Sequence, residues 1–462
     1  MDSVSHPGSD TYRLILTRRD AGDIMLLSRA NAWSLPLVTI PRGQRIAEQL
    51  TKELNEQFGC RGFCLFVTNL SGHQTRCAVM EMRDPGDIDF AGACWMPLTP
   101  ATCSWLDLSE DRLAVQESIE ELQRFRREPR RGPLAKPGWL AELFEWAQVQ
   151  IDPLNLRLSG VIRQLNASPT FSLIRLETDG PALWFKATGV PNSHELPITV
   201  VLARFFPGYI PGVIGVHHPW NGWLSPEVPG TQLGQFTDLP AWVQAAEHLA
   251  ELQIASIERT ADLLDAHAKD LRISRLAGRI DPFLAHMGEL MAVQEKPAPK
   301  PLSWTELVTL GVALKESCFL LESCGLPDTV AHLDLNPGNI LVARQRSVFL
   351  DWAEGAVANP LITFEYLRNH FSRCQTEDST ARNRLTDAYL HPWGSICSAD
   401  NLRLALVVSP LLAIFAYAVA GNSWQSRDLI QSPALAGYFR SLTRRMHRES
   451  AGITEGSQLC LN

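Results

Sequence analysis

The chain has 462 residues, 45% of them hydrophobic and 20% charged, which excludes a disordered, collagen-like or coiled-coil chain and fits a folded protein of several domains. Its 42 basic residues against 50 acidic give a net charge of −8, which argues against a nucleic-acid binder. The 10 cysteines include no CxxC pair and no Cys/His cluster at zinc spacing, so they read as reduced thiols of a cytoplasmic protein.

Residues 1–6 carry neither a basic region nor an apolar core, so no signal peptide is expected. Apolar runs predict strands over 12–17 and 24–27, then a helix over 44–58 that stops at Gly59. Further strands are expected over 64–68 and 76–82, and a closing helix carries Leu113, Ile119, Leu122 and Phe125. Residues 124–136 hold six basic residues against one acid, with two prolines and a glycine, and read as a linker or else as an anion- or nucleic-acid-binding patch. Pro137-Gly138 then precedes an apolar helix with Trp139, Leu143 and Trp146.

Strand-like runs follow over 171–176, 182–187 and 213–216, and from about residue 240 the pattern turns helical. Helices are expected over 241–257 and over 303–322, the second opened by the capping-box pair Ser303 and Glu306. Residues 404–420 form seventeen uncharged positions including Ser409 and Pro410. That is short of the ~20 residues of a bilayer span, so a buried core helix is expected and no membrane partner.

The chemistry concentrates in His332-Leu333-Asp334-Leu335-Asn336-Pro337-Gly338-Asn339 and in Asp351. Short apolar runs over 340–342 and 348–350, separated by polar residues centred near Gln345, predict a hairpin. The hairpin returns Asp351 to the neighbourhood of Asn339, so an amide oxygen and a carboxylate meet, a hard-oxygen pair suited to Mg²⁺. A carboxylate on the entering loop, Asp334, completes the set that phosphoryl transfer uses.

His332-x-Asp334-x-x-x-x-Asn339 followed by Asp351 resembles the aminoglycoside phosphotransferase and choline-kinase-like superfamily, relatives of the protein kinases. The resemblance implies roles. Asp334 would accept or orient the proton of a substrate hydroxyl, His332 would orient the loop, and Asn339 and Asp351 would hold Mg²⁺. Leu333, where many protein kinases have Arg, implies no activation-loop phosphate. Trp352-Ala353 in place of Phe-Gly suits a small-molecule kinase. Lys186, ending the run Leu183-Trp184-Phe185, would hold the α- and β-phosphates of the nucleotide, with Glu195, nine residues on, as its partner on the next helix. Residues 223–230, including Glu227, resemble the hinge that meets the adenine edge. The phosphate-covering loop would be Leu165-Asn166-Ala167-Ser168-Pro169-Thr170, which lacks glycine; Ser168 and Thr170 would supply hydroxyls and amides there.

In the N-terminal part, Trp33-Ser34-Leu35-Pro36 and Lys52-Glu53-Leu54-Asn55-Glu56-Gln57-Phe58-Gly59 resemble a Nudix domain. Glu53, Glu56 and position 57 share a helix face, where carboxylates would gather metal ions. Gln57 stands in place of the last carboxylate, Lys52 in place of Arg, Leu37-Val38 in place of Gly-Gly and Gln44 in place of Glu. The resemblance therefore implies a Nudix-like fold with lost or weak hydrolysis. His217 and His218 read as a surface loop, Cys318 and Cys324 as unrelated helix faces, and Trp393, Tyr417 and Trp424 as core packing.

Together these resemblances imply an α+β chain with a bilobal protein-kinase-like fold behind an N-terminal Nudix-like α/β/α sandwich. The expected divisions are 1–123 for the Nudix-like domain, 124–150 for the basic linker and connecting helix, 151–235 for the N-lobe, 236–445 for the C-lobe with substrate-binding helices, and 446–462 for a tail. The implied function is transfer of the γ-phosphate of ATP or GTP, with Mg²⁺, to a hydroxyl group of a small molecule. A non-catalytic pseudokinase and Nudix-like sensor or scaffold is the alternative. An active nucleotide pyrophosphohydrolase with an accessory kinase-like domain is a third reading.

Overall fold

A computed structural model describes residues 8–19, 22–29, 32–70, 76–83, 92–344, 346–374, 379–426 and 432–460. Residues 1–6, read above for a leader, and Gln345, the expected hairpin midpoint, lie outside them. The chain divides into two compact units, Met1–Leu196 with Val213–Glu227, and Pro197–Gly212 with Val228–Asn462.

The first unit opens with strands β1 (Ser9–Thr17), β2 (Asp23–Arg29), β3 (Ala32–Ser34) and β4 (Leu37–Pro41). Helix α1 (Ile46–Phe58), strands β5 (Gly62–Asn69), β6 (Arg76–Met82) and β7 (Ala93–Pro97), and helix α2 (Ser109–Arg127) follow. They build a 7-stranded mixed sheet in the order β3-β2-β1-β6-β5, with β4 paired to β1 and β7 to β2. The β1/β6 pair is parallel. Alternation along β1 sends side chains to opposite faces. Leu14 and Leu16 pack with Leu50 and Leu54 of α1, whereas Ile15 packs with Ala114 and Val115 of α2, so the sheet is sandwiched between helices. Helix α1 stops where expected: Gly59 takes φ 64 and donates its N–H to the Asn55 carbonyl at 2.9 Å. Strands β3, β4 and β7 were not among the predicted elements.

The second sheet of this unit comprises β8 (Leu158–Ala167), β9 (Ser172–Thr178) and β10 (Leu183–Ala187). Helix α4 (Glu195–Phe205), numbered after α3 below, then leads to β11 (Gly215–His217) and β12 (Gly222–Pro226). The order is β11-β12-β10-β9-β8, all antiparallel. Between the two sheets in sequence lies α3 (Trp139–Ile151). The basic stretch 124–136, read above as a linker, is not a free tether. It forms the last turn of α2, a 3-10 turn, and a segment in which Leu134 and Ala135 are buried. The reason is apolar: Leu134, Ala135, Trp139, Leu140 and Leu143 share one core with Phe63 and Phe66 of the first sheet and with Ile174 and Phe185 of the second. The buried Gln164 side chain adds a polar splice, accepting from Cys64 N–H and donating to the Cys64 carbonyl, both at 2.8 Å.

A carboxylate also spans this junction. Glu81 of β6 accepts the N–H of Gly138, the N-cap of α3, at 2.5 Å. Burial pushes its pKa up to about 7, against the opposing pull of that N–H and of Arg19. A carboxylate pKa raised in the folded state means that the folded protein binds the extra proton, so stability falls as pH rises from about 4.5 to about 7. Glu81→Gln keeps an acceptor for Gly138 and removes that titration. Urea unfolding at pH 5 and pH 8 should show the variant losing ~3 kcal/mol less than the parent between the two pH values. Equal losses in the two proteins would refute this role of Glu81.

The second unit begins its own sheet with β13 (Thr231–Gln232), followed by α5 (Leu239–Ala255), α6 (Thr260–Asp265), β14 (Lys269–Leu271), α7 (Ile273–Ala277), α8 (Ile280–Ala292) and α9 (Trp304–Ser323). Ser303 caps α9 through the reciprocal capping box with Glu306. Then come β15 (Thr329–His332), the hairpin β16 (Ile340–Val342) and β17 (Ser347–Phe349), and β18 (Gly355–Ala358). The chain closes with α10 (Pro360–Cys374), α11 (Ser379–Leu390), α12 (Ala399–Val419) and α13 (Pro433–Cys460). Two small sheets, β13-β16-β17 and β14-β18-β15, hold the loops between them.

Helix α12 is the one described helix long and apolar enough to cross a membrane, and 67% of its apolar window is buried inside the protein. It packs against α9, α10 and α13, and buried Ser409 donates to Glu365 of α10 at 2.8 Å. Residues 446–460, expected as a tail, continue α13, and Met446 sits in the core. The nine described cysteines are free thiols.

Candidate active site

The catalytic-type loop is anchored by what alternates around Asp334. Leu333 and Leu335 are buried in the core while Asp334 between them is exposed. His332, at the end of β15, is the clip. Its backbone N–H is donated to Thr363 Oγ1 of α10 at 2.9 Å. Its Nδ1 accepts the Asp334 N–H at 3.2 Å, and its Nε2 lies 2.8 Å from the Leu350 carbonyl. An Nδ1 that accepts leaves the proton on Nε2, so the ring is the neutral Nε2–H tautomer. Complete burial lowers its pKa and keeps it neutral. One imidazole thereby ties Asp334 to the residue preceding Asp351.

Asn339 is fixed from two sides. Its Nδ2 donates to the Asp334 carbonyl at 2.9 Å, and its own carbonyl accepts the Leu350 N–H at 2.8 Å. With Nδ2 so used, the amide oxygen is the atom left to serve as a ligand. Asn336 shapes the same loop, its Oδ1 accepting the Gly338 N–H at 2.9 Å. Asp351 is exposed and takes φ 64, a left-handed conformation that an L-residue adopts only when its surroundings impose it. Trp352, buried after it, packs its ring 4.7 Å from that of His332 and donates to the Phe349 carbonyl at 3.2 Å. The predicted hairpin therefore brings His332, Asp334, Asn339 and the backbone of Leu350, the residue before Asp351, into one hydrogen-bonded cluster. Among the described residues no three His, Cys, Asp or Glu side chains gather as a metal cage. The exposed Asp351 carboxylate and the Asn339 amide oxygen, on backbones joined through Leu350, are hard oxygen donors of the type that could hold Mg²⁺.

The first unit carries the second cluster. Strand β10 buries Leu183, Phe185 and Ala187 and turns Lys186 to the other face, opposite Trp223 of β12. Lys186 Nζ meets Glu195 Oε1 at 2.5 Å and lies 5.8 Å from the centre of the Trp223 ring. Glu195 is the first residue of α4 and is 1% exposed. A buried carboxylate paired with a lysine is retained only if the geometry is good, since removing one partner strands a buried charge.

The remaining candidates lie at the rim of that sheet. Ser168 closes the β8–β9 turn: its hydroxyl accepts the N–H groups of Phe171 at 2.9 Å and Thr170 at 3.4 Å. Thr170 packs on Gly189, where an added Cβ would lie 2.4 Å from the Thr170 Cβ. Glu227, just after β12, binds Arg175 through both oxygens at 2.8 Å, which lowers its pKa. On α1, Gln57 donates to Glu53 at 2.8 Å, and Lys52 approaches Glu56 at 3.9 Å, so the polar face is internally paired.

Beyond residue 360, where the sequence offers no motif, α10 holds a tyrosine whose buried hydroxyl stands out. Tyr366 of α10 feels the negative charge of Asp334 and Glu354, and burial pushes its pKa far up, so it remains a neutral O–H. That hydroxyl is buried and has no hydrogen-bond partner among the described residues. The Tyr417 ring lies tilted to that of Tyr366 at 5.8 Å between ring centres, and Tyr438 lies 6.4 Å from Tyr417. The available signal was the spacing Thr363, Tyr366, His370 on one face of a helix whose Thr363 holds His332. Trp393 and Trp424 are core residues as expected, whereas Tyr417 is 40% exposed.

No family model and no curated protein sequence matches the chain. Among solved structures, it is similar to a macrolide 2'-phosphotransferase from Brachybacterium faecium, with 15% identity, a TM-score of 0.43, and 65% of this chain and 97% of that one covered. It is also similar to a choline kinase from Cryptosporidium parvum Iowa II, with 13% identity, a TM-score of 0.46 and 65% and 92% covered. A choline kinase from Streptococcus pneumoniae gives 12% identity, a TM-score of 0.41 and 68% and 99% covered. Likenesses this distant assign no activity.

Proposed function

We propose that the chain is a small-molecule kinase with a bilobal protein-kinase-like architecture, transferring the γ-phosphate of ATP or GTP to a hydroxyl group. The single observation that carries this reading is the cluster in which His332 links Asp334 to the residue before Asp351 while Asn339 holds the Asp334 carbonyl. Asp334 takes the proton of the attacking hydroxyl as its oxygen bonds to the γ-phosphorus and the bond to the β-phosphate oxygen breaks. Lys186, held by Glu195, places its charge on the α- and β-phosphates. Asn339 Oδ1 and the Asp351 carboxylate would hold Mg²⁺, which when bound neutralises developing phosphate charge. Tyr366, a neutral donor near Asp334, is suited to hold the acceptor molecule. The free thiols support a cytoplasmic setting.

In the same proposal 151–235 is the N-lobe and 236–445 the C-lobe, while the sandwich of 1–123 and the 124–150 connection share one core with the N-lobe sheet rather than forming an independent domain. We read the N-terminal sandwich as Nudix-like and without hydrolytic activity. The support is Gln57, an amide where a carboxylate would be needed, donating to Glu53. The pseudokinase alternative draws on the β8–β9 turn, whose Thr170 and Phe171 amides are already taken by Ser168.

Calorimetry with ATP and GTP, with and without Mg²⁺, tests the proposal. The control is Asp351→Asn, because Asn tolerates the left-handed backbone that Ala would strain. Mg²⁺-dependent saturable binding that disappears in the variant is the expected result. No binding of either nucleotide would sink the kinase and favour the scaffold.

A further inference from the structure

The first unit contains a cavity of about 380 Å³ to which no role has yet been given. One wall is Arg130 and Arg131, in the basic stretch after α2. Arg131 forms an exposed ion pair with Glu128, Nε to Oε2 at 2.7 Å. The lining also includes the hydroxyl residues Thr188 and Ser193, with Thr170 of the β8–β9 turn. Asn221 is also in the lining and is itself fixed: its Nδ2 donates to the Thr188 carbonyl at 2.7 Å and to the Ser193 carbonyl at 2.9 Å. Trp220 and Pro219 add an apolar side, and no acidic residue is among those lining the cavity.

Two arginines, one of them paired with Glu128, together with hydroxyl residues and an apolar side, match a phosphate group carried on a ring or short carbon skeleton. The volume is that of a small-molecule site. We propose that this cavity binds a small phosphate-bearing molecule at a site separate from the Lys186–Glu195 pair. Nucleic acid needs a longer basic track than two arginines. The wall formed by Thr188 and Ser193 is the loop that joins Lys186 to Glu195, so occupancy stiffens the connection between the two members of that pair. This consequence rests on the kinase reading; the binding itself does not.

The test is calorimetry of the full chain with phenyl phosphate, a dianion with a ring, at low salt. Saturable binding is expected, weakened about tenfold or more in R130Q/R131Q through the loss of charge-assisted hydrogen bonds. The control R126Q/R127Q removes the same charge from exposed positions outside the lining and should bind as the parent does. MgATP binding by R130Q/R131Q should be unchanged, and failure of MgATP to bind any of these proteins would count against the kinase alone. Absence of phenyl phosphate binding, or equal weakening by the two double variants, would overturn the site. Parallel loss of MgATP and phenyl phosphate in R130Q/R131Q would merge the cavity with the nucleotide site and overturn it as a separate one.

Discussion

Asp334→Asn is expected to lower kcat by about 10²–10⁴-fold while leaving fold and nucleotide binding in place, the size of a lost general base. The fold survives because the loop does not depend on the carboxylate. Leu333 and Leu335 anchor it in the core, and the Asp334 backbone makes its main bonds, donating N–H to His332 and accepting from Asn339. The side chain is exposed, and its one described hydrogen bond is from Asn336 Nδ2 at 3.3 Å. An amide has the same shape but cannot take the hydroxyl proton. The loss should therefore fall on kcat, with the nucleotide KM nearly unchanged and the melting temperature shifted by no more than an exposed substitution produces, within about 0.5 kcal/mol. ATP consumption over a pool of hydroxyl compounds, measured beside nucleotide calorimetry, reads the two effects separately. A variant as active as the parent would remove Asp334 from the chemistry even if nucleotide binding were intact.

The parts of this site visible in the sequence are those that local chemistry fixes. Two apolar triplets around a polar turn make a hairpin wherever they occur, so the return of the chain from Asn339 toward Asp351 followed from spacing. Lys186 stood out because it closes a strand run that buries Leu183 and Phe185. Tyr366 did not, since the spacing that puts it on one face with Thr363 gains meaning only when the fold brings α10 to the Asp334 loop through Thr363. Strand β4 did carry a signal, Val38 and Ile40 buried between exposed neighbours, but five residues of alternation are ambiguous until β1 supplies the partner. The basic stretch misled in the opposite sense. Its charges lie on exposed positions, while the residues that decide its place, Leu134 and Ala135, look unremarkable among prolines and arginines. Burial of an apolar pair outweighed the composition of the surrounding segment.

Trp139 shows how much that burial carries, and Trp139→Ala is expected to destabilise the first unit by about 3–5 kcal/mol. The indole is 1% exposed and sits edge-on to Phe63 of the first sheet at 5.9 Å and to Trp220 at 6.0 Å, with Phe185 of the second sheet at 6.4 Å. Removing it leaves a cavity that borders both sheets, so neither can relax without disturbing the other. Its Nε1–H has no hydrogen-bond partner among the described residues, so the cost is apolar packing, and Trp139→Phe should recover more than half of the loss. Denaturant unfolding followed by hydrogen exchange checks this. In the Ala variant, amides of β6 and of β10 should lose protection together. By the same logic a chain begun at residue 151, which lacks Trp139 and the first sheet, should not hold the second sheet in its native state. Loss of protection confined to β6, or a stable fragment from residue 151 onward, would show that the two sheets are separate domains joined by a dispensable helix.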